Sequence, residues 1–153
     1  MTSMFFMAEF ELFESEGTIL ALPFGLEGGT EAPTFEEAAA MAADWLRGEV
    51  EHWLMAGACP PSPTLGNEPL RGGSVCLIGV SSSLEAIDTM TASEAAQALG
   101  VSRPRISQMI KSGRLEGFTK GHATFVTVAS VRARLAAHPR AGRPRRQPEP
   151  PRA

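Results

Sequence analysis

Cysteine, histidine and long apolar runs are all scarce in this chain. Its 153 residues include two cysteines, Cys59 in a proline-rich loop and Cys76 in a strand pattern. Two such residues make no disulfide framework, and both are expected as reduced thiols. No apolar stretch approaches the roughly 20 residues that cross a bilayer, which excludes a membrane-spanning reading. The apolar start lacks basic residues and is interrupted by Glu9, so a secretory signal is not expected and the location reads as cytoplasmic. His52, His122 and His138 lie far apart and share no Cys or carboxylate at ligand spacing. Neither a metal nor another cofactor is expected.

Basic residues are nearly missing from the first part of the chain. Residues 1–88 hold 14 Asp or Glu against 2 Lys or Arg, a formal charge of −12, whereas residues 89–153 hold 12 basic against 3 acidic, +9. The net charge of −3 hides this split. One part repels a polyanion and the other attracts it. The expected organisation is an acidic domain at 1–80, a linker at 81–90, a DNA-binding domain at 91–137 and a basic, proline-rich, disordered tail at 138–153.

What is present in 91–113, TASEAAQALGVSRPRISQMIKSG, reads as two short helices joined at Gly100. Thr91 and Glu94 form a capping box, Ser102 caps the second helix with Pro104 in its first turn, and Gly113 stops it. Ala95, Ala96 and Leu99 give the first helix a small inner face that a second helix can cross closely. Val101, Ile106, Met109 and Ile110 form the inner side of the second helix. Ser102, Arg103, Arg105, Ser107, Gln108 and Lys111 are left facing out, and these are types that reach phosphates and base edges. Leu115–Thr119 and Ala123–Val128 read as two short strands around Lys120-Gly121-His122, and Ser130–Ala137 as a closing helix. An ordinary helical hairpin with a solvated charged face has the same periodicity. With the strands included, the segment resembles winged helix-turn-helix domains of the excisionase and MerR-like group. That resemblance implies binding of double-stranded DNA, with Arg114, Lys120 and His122 as wing contacts.

In the acidic part, Met4–Phe13 and Thr18–Phe24 read as strands, Glu27–Glu31 as a third strand or a loop, and Ser74–Val80 as the most apolar strand. Between them Thr34 caps a helix with Glu37 as partner, carrying Phe35, Ala39, Ala42, Leu46, Val50 and Trp53 on one face to about Ala56. Gly57 and the prolines at 60, 61 and 63 end it. The fold class is therefore α+β: a small antiparallel sheet with one long covering helix, followed by a mainly α winged helix-turn-helix domain and the tail.

The strand order, the PTFEEA start of the helix, its length and its proline-rich exit resemble the HicB antitoxin family over residues 4–80. The stretch ALPFGLEGGTEAP departs from that family's pattern around its second and third strands. The resemblance implies a degenerate ribonuclease-H-like domain that neutralises a small basic ribonuclease toxin. An acidic surface of −12 would be steered toward such a partner. The expected function is a transcriptional regulator of HicB-like antitoxin type. The alternative is a phage-type excisionase or architectural protein whose acidic part serves oligomerisation. A homo-oligomer is expected either way, because one recognition helix reads only a few base pairs.

Nuclease chemistry would need several carboxylates converging on divalent ions. Here Glu9 and Glu11 read as singles in a strand, and Glu36, Glu37, Asp44, Glu49 and Glu51 as a solvated helix face. The chain is read as non-enzymatic. In the tail, Gly142-Arg143-Pro144 with Arg140, Arg145 and Arg146 resembles the short AT-hook of narrow minor grooves, with Arg143 as the contact; a sequence-blind phosphate role fits the same arginines.

Overall fold

The computed structural model describes residues 3–137, and the chain divides into two units, at 1–88 and 89–153. The first is an antiparallel sheet on a long helix. Its elements are β1 (Ser3–Ser15), β2 (Thr18–Pro23), β3 (Thr30–Ala32), α1 (Phe35–Ala56), β4 (Ser74–Ser83) and a single 3-10 turn at Leu84–Ala86. The strand order is β3-β2-β1-β4. Short turns make β1, β2 and β3 a meander, while β4 returns after the helix to the free side of β1.

Alternation on β1 determines the layering. Phe6, Ala8, Phe10 and Leu12 point to the helix and are buried. They meet Ala38, Ala42, Leu46, Val50 and Leu54, a row at every fourth position of α1, with Ile19, Ala21, Ala32 and Val80 completing the core. This face of α1 differs from the expected one at three positions. Phe35 is 51% exposed, Trp53 and Ala39 are only partly buried, and Ala38 and Leu54 take the central places. The tryptophans flank the row, Trp53 edge-on to Phe6 at 5.0 Å between centroids and Trp45 edge-on to Phe10 at 6.0 Å. An aromatic side chain reaches the core from a flanking position, so the shorter Leu and Ala residues occupy the line of closest approach.

Trp45 also explains one glycine of GLEGG, Gly28. A Cβ on Gly28 would stand 2.9 Å from the Trp45 ring, and Gly28 has φ 109°. Only glycine fits there. The third strand forms just after the expected stretch, at Thr30–Ala32.

The second unit contains β5 (Thr89–Thr91), α2 (Ala92–Leu99), α3 (Arg103–Lys111), β6 (Gly117–Lys120), β7 (Ala123–Thr127) and α4 (Val128–Ala136). Its sheet has the order β5-β7-β6. Ordered structure therefore occupies most of the stretch 81–90 expected as a connector: β4 runs to Ser83, and β5 pairs Thr89 with Thr127 and Thr91 with Phe125. The expected disordered tail lies outside the described residues.

Candidate nucleic-acid interface

Local chemistry sets the helix pair. At the start of α2 the Thr91 backbone amide donates to Glu94 Oε2 at 2.7 Å, and the Glu94 amide donates to Thr91 Oγ1 at 3.2 Å. The Thr91 amide and hydroxyl hold the Glu94 carboxyl below its ordinary value. Gly100 closes α2 in the left-handed region at φ 65°, where a side chain would be strained. The Val101 amide returns to the Ala96 carbonyl at 3.0 Å. Ser102 then accepts from the Arg105 amide, with Pro104 in the first turn of α3.

Ala92, Ala95 and Ala96 of α2 pack with Ile106 and Met109 of α3 and with Leu115, Val126 and Val131. The small residues let the two helices approach. Leu115 is buried rather than part of β6, because the amides of Arg114 and Leu115 both donate to the Met109 carbonyl and complete the end of α3. α4 starts at Val128 rather than at the expected Ser130, and Thr127 caps it, accepting from the Ser130 amide at 3.2 Å.

All nine expected contacts within the described residues are exposed: Ser102, Arg103, Arg105, Ser107, Gln108 and Lys111 at or on α3, Arg114 after it, and Lys120 and His122 at the β6–β7 turn. Arg143 lies outside the described residues. At 100° per residue, Ser107, Gln108 and Lys111 stand opposite the buried Ile106–Met109 side, and Arg103 and Arg105 flank them on either side. The Arg105 guanidinium donates to Gln108 Oε1 at 3.1 Å, so these two side chains are presented as a pair. A further basic pair, Arg132 and Arg134, lies on α4 beside the buried Val131; charge next to an apolar position on a short helix is its sequence signal.

The first unit uses its charges differently. The Glu9 carboxylate accepts from the amides of Gly66 and Asn67 at 2.7 and 2.8 Å and from the Asn67 side chain at 2.8 Å. These bonds hold it below its ordinary pKa. Glu11 is 1% exposed and accepts from the amides of Leu70, Arg71 and Gly73. Burial pushes its carboxyl up, but those three amides and the Arg71 charge outweigh it and leave it lowered. The two carboxylates fasten the 66–73 loop over the outer face of the sheet. In the sequence the two stand as isolated strand charges, because their donors are backbone amides 57 to 62 positions away. Among the described residues, no three His, Cys, Asp or Glu side chains are grouped to hold a metal ion. No helix there is long and apolar enough to cross a membrane.

No curated protein and no solved structure matches the chain. Residues 89–139 do match a known family, described as a helix-turn-helix domain. The match begins at β5, spans the capped helix pair and continues through α4. Together with the geometry it shows that the second unit carries a helix-turn-helix domain.

Proposed function

We propose that this protein is a transcriptional regulator of HicB-like antitoxin type. Its helix-turn-helix domain binds an operator in double-stranded DNA, and its acidic unit binds a small basic ribonuclease toxin. The observation that carries the DNA half is the exposed row on α3: Ser107, Gln108 and Lys111 flanked by two arginines, on a helix whose opposite side is buried. A helix of this kind enters the major groove with side chains toward base edges and phosphates. Lys120 and His122, at the β6–β7 turn, are read as wing contacts.

The toxin half is supported by the charge of −12 over residues 1–88, by the β1-β2-β3-α1-β4 order and by the HicB resemblance of 4–80. A non-catalytic role fits the engagement of Glu9 and Glu11, whose oxygens are taken by backbone amides rather than turned toward one another. The sequence and the charge split fit an intracellular regulator.

Two experiments test the halves separately. Copurification from the native host with mass spectrometry should find a stoichiometric small basic protein; recovery of an integrase instead would favour the excisionase reading. Arg105→Ala with Gln108→Ala should weaken binding to the chain's own upstream DNA. Unchanged affinity would exclude α3 as the reader.

A further inference from the structure

β4 pairs with β1 in an unbroken register, from Ser74 opposite Leu12 to Ser83 opposite Ser3. On its other side, among the described residues, it has no strand. Soluble proteins guard such edges with charge, proline, a bulge or brevity. The opposite edge is guarded in this way: β3 has three residues, contains Glu31 and is followed by Pro33. β4 has none of these devices. It is ten residues long, SVCLIGVSSS, without a charged residue, a proline or a break in register. Beside it on the outer face, Phe5 and Leu77 are each 61% exposed.

Charge selects the occupant. A basic partner gains from the −12 unit only where carboxylates line the contact; β4 carries none of its own, and Glu51 of α1, which accepts from Ser82 Oγ at 2.9 Å, lies toward its end. Two copies of an acidic unit repel one another across most surfaces, and a charge-free strand lets them meet without opposing like charges. We propose that this edge is the self-association surface: β4 of one copy pairs antiparallel with β4 of a second about a two-fold axis, merging two four-stranded sheets. Paired residues in antiparallel strands share a face. The arrangement therefore keeps Leu77 and Gly79 on the outer side in both copies, and Cys76, Ile78 and Val80 on the helix side. It stands independently of the DNA and toxin readings.

The test is sedimentation equilibrium of the full chain without DNA, together with hydrogen exchange on the same samples. Wild type should shift from one chain mass toward two with concentration, and β4 amides should exchange faster on dilution while those of β2 do not change. Leu77→Glu with Ser81→Glu, both at exposed positions, should weaken self-association by about 100-fold through like charges facing across the axis. Met41→Glu, at a 46% exposed position on α1, should leave it unchanged. A wild type that stays monomeric overturns the proposal, as does a folded double variant that associates like wild type. Exchange in β4 that ignores dilution also overturns it, and this measurement decides the matter even where the double variant fails to fold.

Discussion

The two units hold themselves together with opposite uses of charge. In the first, ionised groups are part of the framework: Glu11 is buried, and with Glu9 it fastens a loop that has no helix or strand of its own. In the second, the framework is small apolar residues and caps at Thr91 with Glu94, Ser102 and Thr127, while the basic side chains from Arg103 to Arg114 stand exposed. A unit that stabilises itself without its cations can present them to a ligand. Stability and recognition should therefore be separable in the second unit, and charge and stability inseparable in the first.

The strongest challenge to that contrast is Leu46→Ala, which removes a fully buried side chain from the α1 row. We expect a loss of about 2–5 kcal/mol from the first unit, followed by the fluorescence of Trp45 and Trp53, the chain's two tryptophans. Affinity of a single copy for one half-site should not change, because the second unit has a core of its own; a fall there would mean that the units are not independent.

Next in size, Arg105→Ala should cost about 1–3 kcal/mol in operator binding and relax preference at one base position. Lys111→Ala should weaken all sequences alike and lower the slope of log affinity against log salt by about 1. Gel-shift titrations across salt concentrations check both, and thermal melts should show neither variant destabilised. Thr91→Ala should do the reverse, costing the second unit about 1 kcal/mol through the lost cap, read by amide exchange in α2.

The smallest expected effect concerns pH. Glu9, Glu11 and Glu94 all sit below the ordinary value of 4.5 when folded. Their contribution to stability is therefore present above 4.5 and lost as pH falls through the lowered folded values. Two of the three lie in the first unit, so its melting temperature should fall more steeply on acidification. An equal slope in both units would remove the contrast.

How much of this was legible in the sequence follows from the range of each interaction. The helix pair was readable to within a residue because Thr91, Glu94, Gly100, Ser102 and Pro104 act on neighbours three or four positions away. β1, β2 and β4 of the first sheet were readable from alternation and apolar runs, whereas the polar, three-residue β3 carries neither signal and lay open between strand and loop. β5 was not readable, since three residues carry no periodicity and its partner β7 lies more than thirty positions on. The buried side of α1 was read one position off at its ends, because period alone cannot say whether Trp53 or Leu54 lies nearest the sheet. Exposure of the α3 residues was legible; the pairing of Arg105 with Gln108 was not, because two long side chains on one face have many rotamers.

The central place of β1 also bears on how the chain is made. Phe6 ends opposite Val80, 74 positions later. At about 5–20 residues per second, MFFMAEFELF waits roughly 4–15 s on the ribosome before its second partner is synthesised. During that time β2 can cover one side of Phe10–Ser15, while the segment carrying Phe5 and Phe6 has no strand beside it. The nascent chain is thus exposed to aggregation at its apolar hub, and any slowing of translation between α1 and β4 would lengthen that exposure.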